Sequence, residues 1–279
     1  MSLRSANINV MVRAAERAGR ALIRDFGEVE QLQVSRKGPA DFVSTADHKA
    51  EKIVRQELEK ARPGFAFLME ESGASGDANA SYRWIVDPLD GTLNFLHGLP
   101  HFCVSIALEH EGEVIAGVVY EPLRDEMFMA EKNAGAFLRN QRLRVSGRNR
   151  LPDAVIATGI PFLGNEENGR HERFTNQLSA VMSRTAGIRR WGSAALDLAY
   201  VAAGRFDGYW ENGLNSWDVA AGVLLVREAG GFVTDISGRR YELGAPDILA
   251  ANTQLHGMLA GILGVAGRVP VAASSGATR

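Results

Sequence analysis

The sequence has very little cysteine, no long apolar run and no large excess of charge of either sign. Cys103 is the only cysteine among 279 residues, so the chain has no internal disulfide framework and fits a reducing compartment. No apolar stretch approaches the length of a membrane span, and arginines interrupt any signal-peptide core near the N-terminus. We therefore expect a cytoplasmic protein.

The charge balance also disfavours two classes of partner. The formal net charge is −2, so no overall basic field favours nucleic acid or a membrane surface as the main ligand. Hydrophobic residues make up 46% of the chain and charged residues 23%, which is ordinary for a globular protein. At 279 residues the chain is long enough for a substantial core, in one large domain or two smaller ones.

The hydrophobic periodicity changes twice along the chain. Helical spacing predicts amphipathic helices over residues 8–26 and 50–61, and short β-rich segments from 104 to 145 are typical of an antiparallel meander. After about residue 153, strands alternate with helices, which indicates an α/β layer. We expect an N-terminal α+β subdomain at residues 1–150, a C-terminal α/β subdomain at 151–266 and a loose tail at 267–279.

The stretch 84–92, Trp-Ile-Val-Asp-Pro-Leu-Asp-Gly-Thr, carries the strongest chemical signal. It predicts a buried strand followed by a tight turn, in which Pro88 keeps Asp87 extended and lets Asp87 and Asp90 converge. Two such anions repel each other unless a cation lies between them or one takes a proton. Mg²⁺ prefers oxygen ligands of this kind. The alternative is an ordinary surface turn, and this stretch alone leaves both interpretations open.

Three more acidic positions are candidates for the same site. Glu70 follows a short apolar strand, and because ligand sites gather at strand ends we expect it to be a metal ligand. Asp47 lies where a helix begins, and capping is its simpler role. Asp218 lies in the first turn of a helix, where an acid is favourable without any function. The small residues Ala220, Ala221 and Gly222 would let another element approach that turn closely.

Three motifs in the expected order resemble the inositol monophosphatase family of Mg²⁺-dependent, lithium-sensitive phosphatases. They are Glu70-Glu71-Ser72, then WIVDPLDGTLNF at 84–95, then WDVAAG at 217–222 followed by Gly230-Gly231. The second and third motifs are specific, and the resemblance covers nearly the whole chain. The first motif departs from the family's usual Gly-Glu-Glu-Ser, because Met69 stands where glycine is common.

The resemblance implies a fold and a set of metal ligands. The fold is a layered α-β-α-β-α sandwich of the sugar-phosphatase type, with the active site between two subdomains, in a homodimer. In the first metal site the implied ligands are Glu70, Asp87 and the Leu89 carbonyl. In the second they are Asp87, Asp90 and Asp218, and Glu70 also serves a third, weaker site.

The resemblance also implies roles in catalysis and substrate binding. Thr92, paired with Asp47, orients and activates the attacking water, with Glu70 beside it in the catalytic set. The backbone amides of Gly91 and Thr92 hold the phosphate. The hydroxyls of the polyol are contacted by Glu211 and by the segment around Ala194.

The expected function is hydrolysis of myo-inositol monophosphate, or a similar polyol phosphate, by metal-activated water with two or three Mg²⁺ ions per site. Fructose-1,6-bisphosphate, histidinol phosphate and 3′-phosphoadenosine nucleotides are alternative substrates within the superfamily. A haloacid-dehalogenase-type phosphatase is disfavoured, because its two aspartates are two residues apart and the first is a nucleophile. Some bacterial relatives also associate with the transcription and ribosomal-RNA-processing machinery, which gives a non-catalytic alternative.

Overall fold

The structure is a computed structural model that describes residues 5–28, 34–38, 41–161 and 170–267. The helices in these ranges are α1 (Ala6–Phe26), α2 (Thr45–Ala61), α3 (Thr92–Leu96), α4 (Arg170–Met182), α5 (Ala194–Ala202), α6 (Ser216–Glu228) and α7 (His256–Ala266), with one 3₁₀ turn at Leu151–Asp153. Apart from Gly267, the tail expected at 267–279 lies outside the described residues. No helix in the described ranges is long and apolar enough to cross a membrane.

The strands of the described ranges form three sheets. They are β1 (Val34–Gly38), β2 (Asp41–Ser44), β3 (Ala66–Met69), β4 (Gly73–Ser75), β5 (Tyr82–Asp90), β6 (Cys103–His110), β7 (Glu113–Glu121), β8 (Glu126–Glu131), β9 (Gly135–Leu138), β10 (Gln141–Arg142), β11 (Val155–Thr158), β12 (Gly187–Arg189), β13 (Gly208–Asn212), β14 (Phe232–Thr234) and β15 (Asp247–Ala251). β1 and β2 pair with each other.

The larger sheet has the order β10-β9-β8-β7-β6-β5-β3-β4, and the smaller has the order β12-β11-β13-β15-β14. In the larger sheet β3 is parallel to β5, and β6 to β9 form an antiparallel meander, as the sequence predicts. In the smaller sheet β11 is parallel to β12 and β13, which fits the alternation of strands and helices in that half.

Helices and sheets alternate in five layers. α1 and α2 pack on one face of the larger sheet, whereas α5 and α6 lie on its other face and also contact the smaller sheet. α4 packs against α7, and α7 contacts β15 of the smaller sheet. This α-β-α-β-α arrangement confirms the expected fold class. Division of the chain into subdomains at residue 150 stays a prediction, since α5 and α6 pack against both sheets.

Some short strands are not revealed by the sequence pattern. The stretch 73–81 contains the edge strand β4, and the β-rich region ends in two separate short strands, β9 and β10. The β1–β2 hairpin has no counterpart among the expected elements. These short strands owe their conformation to a partner strand, so their own hydrophobic pattern is too brief to reveal them.

Candidate active site

Two adjacent parallel strands bring Glu70 and Asp87 together. Met69 lies opposite Val86 in the β3–β5 ladder, and the Glu70 amide donates to the Val86 carbonyl at 3.1 Å. Both carboxylates therefore lie at the C-terminal ends of these two strands, which is where ligands bind in many α/β sheets. The Met69 side chain is fully buried in the core below them.

The prediction of a tight turn at residues 87–90 is wrong, because these residues form the end of β5. The β5–β6 ladder continues to Asp90 but shifts register between Asp87 and Asp90. Pro88 falls in this irregular segment, where its missing N–H removes no ladder bond. The Leu89 amide instead donates to Asp87 Oδ1 at 3.0 Å. The irregularity therefore directs both aspartates and the Leu89 backbone to one cleft.

Gly91 is needed where β5 ends. Its φ is +95°, in a region that residues with a Cβ rarely adopt, and a Cβ there would lie only 3.0 Å from the His101 carbonyl oxygen. Thr92 follows as the first residue of α3. Gly91 and Thr92 both line the same cleft as the aspartates, so their backbone lies beside the acidic cluster.

Asp47 caps α2 and also contacts Thr92. It occupies the third position of α2, where its Oδ2 accepts from the Ser44 amide at 2.9 Å and from the Ser44 hydroxyl at 2.6 Å in a capping box. Its other oxygen, Oδ1, lies 2.9 Å from the Thr92 hydroxyl. That hydroxyl also lies 2.9 Å from the Leu89 carbonyl oxygen. Both neighbours are acceptors, so the Thr92 proton points towards them.

Asp218 repeats this arrangement in the other half of the molecule. It is the third residue of α6, and its Oδ2 accepts from the Asn215 amide at 2.6 Å. The second turn of α6 packs tightly on α5, since a Cβ added to Gly222 would lie 2.5 Å from Leu198. Close packing of α6 on α5 therefore fixes where Asp218 emerges.

Asp90 connects the larger sheet to α5. Its Oδ2 accepts from the Ser193 hydroxyl at 2.6 Å and from the Ala195 amide at 2.8 Å. An acid from β5 of the larger sheet thus accepts a hydrogen bond from the backbone at the N-terminus of α5. The Cys103 thiol is 3.8 Å from the same oxygen.

One cleft of about 180 Å³ collects nearly all of the residues predicted for the site. From that set it is lined by Glu70, Asp87, Leu89, Asp90, Gly91, Thr92, Ala194, Glu211 and Asp218. Asp47 does not line the cleft, but it reaches it through Thr92. The roles of these residues stay predictions, whereas their convergence from distant parts of the chain is a property of the fold.

The acidic side chains of the cleft are held in an environment that disfavours their charge. Burial raises the pKa of Asp87 well above its ordinary value of 3.8, and the charges of neighbouring acids add to this. Burial and then the charge of Asp90 raise the pKa of Asp218 well above the ordinary value. Burial also raises the pKa of Asp90, although the hydrogen bonds from Ser193 and the α5 backbone oppose it. A bound cation would offset this repulsion.

The donor set fits a hard dication. It offers carboxylate and carbonyl oxygens, and none of the residues that line the described cleft is a histidine or a cysteine, which suits Mg²⁺ and not zinc. In the described ranges, no three acidic, histidine or cysteine side chains are already arranged to hold a metal ion. The aspartates instead each accept from a neighbouring donor through one oxygen. A carboxylate has a second oxygen for a ligand.

Sequence reasoning missed several residues that shape the cleft. Glu51 is buried one turn after Asp47 on α2, and its Oε2 accepts from the Glu71 amide at 2.9 Å. It thereby holds the segment that carries Glu70. An acid on the apolar face of a helix is the signal that would have revealed it. Arg190 also lines the cleft, and Asp197 is a buried carboxyl on α5; neither belongs to a recognised motif.

Comparisons with known proteins agree on one family. A model of the inositol monophosphatase family matches residues 4–265. An inositol-1-monophosphatase from Mesorhizobium japonicum is 59% identical over 249 residues, which cover 89% of this chain and 92% of that protein. A Nus factor SuhB from Pseudomonas aeruginosa is 45% identical over 250 residues, covering 88% and 92%. The crystal structure of extragenic suppressor protein suhB from Bartonella henselae matches with a TM-score of 0.89 and 57% identity, covering 93% of this chain and 98% of that one.

Proposed function

Because the chain belongs to the inositol monophosphatase family, we propose that it hydrolyses myo-inositol monophosphate, or a similar polyol phosphate, to the free polyol and phosphate. Convergence of Glu70, Asp87, Asp90 and Asp218 on one cleft, beside the Thr92–Asp47 pair, is the observation that supports this proposal. The names of the similar proteins agree with it, since one of them is an inositol-1-monophosphatase. The family is generally Mg²⁺-dependent, and we propose two or three Mg²⁺ ions per site and inhibition by lithium.

The acidic cluster would hold the metal ions. Glu70, Asp87 and the Leu89 carbonyl are the proposed ligands of one ion, and Asp87, Asp90 and Asp218 of another. When bound, Mg²⁺ supplies charge neutralisation for the phosphate dianion, an activated water and stabilisation of the leaving oxygen. This supply matters because the uncatalysed hydrolysis of a phosphate monoester is among the slowest known reactions.

Thr92 would orient the attacking water. Its hydroxyl proton points to the Asp47 carboxylate and the Leu89 carbonyl, so its lone pairs are free to accept a hydrogen from water. A water held in this way directs its own oxygen towards a phosphate lying on the Gly91 and Thr92 amides. Asp47 also accepts from the Ser44 amide and hydroxyl through its other oxygen, so in the described residues this side chain acts as an acceptor in every hydrogen bond.

The polyol would lie between the two halves of the cleft. Glu211 accepts a hydrogen bond from a polyol hydroxyl in this proposal, and Ala194 contacts the ring. The side chain with which Ala194 would make this contact is a methyl group. Glu211 and Ala194 line the cleft with Asp90, so both reach a substrate whose phosphate lies near the metal ligands.

A phosphate-release assay tests the proposal. Purified protein would be given inositol phosphates, fructose-1,6-bisphosphate, histidinol phosphate and adenosine 3′,5′-bisphosphate, with Mg²⁺ and with a chelator. We expect Mg²⁺-dependent release, fastest from an inositol monophosphate. Asp87→Asn should lower kcat/KM roughly a hundredfold or more, because Asp87 would contact two metal ions.

Asp153→Asn is the matched control, since Asp153 is an exposed aspartate in the 3₁₀ turn, paired only with Arg150 in the described structure. It should keep the wild-type rate. Near-normal Mg²⁺-dependent activity in Asp87→Asn would contradict the metal assignment. Preference for another of the four esters would keep the phosphatase and change its substrate.

A second role is supported by the relatives named Nus factor SuhB. We propose that this chain, as a cytoplasmic homodimer, also binds a component of the transcription machinery. A pull-down from the native cell extract with wild-type protein and with Asp87→Asn would separate the two roles. Equal recovery of a transcription component by both proteins supports a binding role independent of catalysis, and recovery by neither contradicts it.

A further inference from the structure

Glu211 is held in the cleft by a tyrosine from its own strand. Tyr209 and Glu211 are two residues apart on β13, so their side chains project from the same face of the smaller sheet. The Tyr209 hydroxyl donates to Glu211 Oε2 at 2.6 Å, and the tyrosine is fully buried. In the described part of the chain this is the only hydrogen bond to the Glu211 carboxylate. Its orientation therefore depends on Tyr209.

Gly159 provides the space that the other carboxylate oxygen occupies. It follows β11, which is parallel to β13 and places Thr158 opposite Trp210. A Cβ at position 159 would lie 1.8 Å from Glu211 Oε1, far inside van der Waals contact. The backbone at Gly159 does not have a positive φ, so its conformation does not call for glycine. What requires glycine there is the position of the Glu211 carboxylate.

The surrounding charges leave Glu211 without another anchor. The charge of Asp90 opposes that of Glu211, and the nearby buried acid Asp197 has an Oδ1 atom without a hydrogen-bond partner in the described residues. Arg190 lines the same cleft and attracts Glu211 electrostatically, with no hydrogen bond between them in the described structure. In the described residues, the Tyr209 hydroxyl therefore supplies the one directional bond that keeps the Glu211 carboxylate in a single rotamer.

We propose that Tyr209 and Gly159 determine substrate specificity by positioning Glu211. Tyr209 holds Oε2, and the absence of a side chain at 159 lets Oε1 project into the cleft, where it accepts a hydrogen bond from a substrate hydroxyl. The ligand class is a phosphate ester whose alcohol carries further hydroxyl groups. This inference rests on the proposed function, because it names residues that select the alcohol part of that substrate.

The test compares two esters in one assay. Myo-inositol 1-phosphate carries the hydroxyls, and p-nitrophenyl phosphate lacks them. For Tyr209→Phe, the ratio of kcat/KM between the inositol ester and the nitrophenyl ester should fall about tenfold, mainly through KM, as a hydrogen bond to a charged group is lost. Combined with Glu211→Gln, Tyr209→Phe should add almost nothing, because both changes remove the same contact.

Two further variants keep the test decisive. Tyr200→Phe is the control, because Tyr200 is also buried and donates to a carboxylate, Glu121 Oε2, at 2.8 Å outside the cleft; it should leave the ratio unchanged. Gly159→Ala should lower the ratio as Tyr209→Phe does, since the methyl group displaces Glu211. It carries the test by itself if Tyr209→Phe does not fold.

Each outcome has one meaning. A lowered ratio in both Tyr209→Phe and Gly159→Ala, or in whichever one of them folds, but not in Tyr200→Phe, supports the inference. An unchanged ratio in an active, folded Tyr209→Phe or Gly159→Ala contradicts the inference and leaves the proposed function in place. Wild-type protein that releases phosphate from neither ester contradicts the proposed function, and the inference with it.

Discussion

At the scale of single residues, one side chain often serves both the fold and the proposed chemistry. Asp47 caps α2 with one oxygen and accepts from Thr92 with the other. Asp218 binds the backbone before α6 in the same way. A capping carboxylate has its rotamer fixed by the backbone, so these acids are oriented before any ligand binds.

Replacing Thr92 should separate rate from metal binding. Thr92→Ala removes the hydroxyl that would orient water but none of the proposed metal-binding side chains, so kcat should fall about a hundredfold or more. Mg²⁺ affinity, measured by calorimetry, should change little. Thr92→Ser keeps the hydroxyl and serves as the conservative control.

A large loss of Mg²⁺ affinity in Thr92→Ala would instead assign Thr92 a structural role at the end of β5. Unchanged kcat would remove it from the mechanism. Both results require that Asp47 still caps α2 in the variant. Loss of a helix cap costs about 1 kcal/mol, so the thermal unfolding midpoint of Thr92→Ala would reveal it.

At the scale of elements, short segments beyond the strands are held in place by neighbouring helices. The segment after β3 shows this, since Glu51 of α2 accepts from the Glu71 amide at 2.9 Å and from the Ser72 amide at 3.4 Å. Glu70 lies directly before these amides. A helix on the outer face of the larger sheet therefore sets the position of a proposed metal ligand at its edge.

Glu51→Ala should weaken Mg²⁺ binding roughly 10- to 100-fold, the usual effect of removing a group that orients a ligand. Calorimetric titration of the metal gives this affinity without substrate. Glu51→Gln, whose amide oxygen still accepts, should recover most of the affinity. Glu59→Ala, at an exposed position on the same helix, is the control.

If Glu51→Ala binds Mg²⁺ as tightly as the wild type does, Glu51 has no part in orienting Glu70. Equal weakening in Glu59→Ala would point to a general loss of helix α2. These two results distinguish a local hydrogen bond from the stability of the whole element.

The sequence predicts the elements that have a regular hydrophobic period, and it does not predict the segments whose conformation depends on residues far away in the chain. The long periodic helices and the antiparallel meander follow from hydrophobic spacing. The end of β5 does not, because Asp-Pro-Leu-Asp-Gly has the composition of a turn while pairing with β6 keeps it in the sheet. Glu51 was missed for the same reason: its partners lie 20 and 21 residues away.

At the scale of the whole molecule, small residues let the layers approach closely. A Cβ on Gly19 would lie 2.6 Å from the Tyr120 ring, where α1 crosses β7. One on Gly117 would lie 3.0 Å from Ala221 Cα, where β7 meets α6. The α5–α6 contact at Gly222 is tighter still. The cleft depends on this packing, because its acids come from both sides of the middle layer.

Gly222→Ala should therefore destabilise the protein, although alanine favours helices. Overpacking against Leu198 should lower the free energy of unfolding by about 1–3 kcal/mol, measured by urea denaturation. Gly261→Ala is the matched control, since Gly261 lies inside α7 with no atom within 4 Å of an added Cβ. It should be neutral or stabilising.

A Gly222→Ala protein as stable as the wild type would show that α5 and α6 can separate without cost. Because Asp218 emerges from the first turn of α6, Mg²⁺ affinity should fall together with stability in this variant. Destabilisation without any change in affinity would mean that the first turn of α6 is held independently of Gly222.

Asp90 contacts α5 and also lines the cleft. The carboxylate that accepts from the Ala195 amide at the start of α5 is also a proposed metal ligand, so a bound cation would contact the residue that joins the larger sheet to α5. Metal binding in the cleft and the contact between the larger sheet and α5 should then be thermodynamically linked.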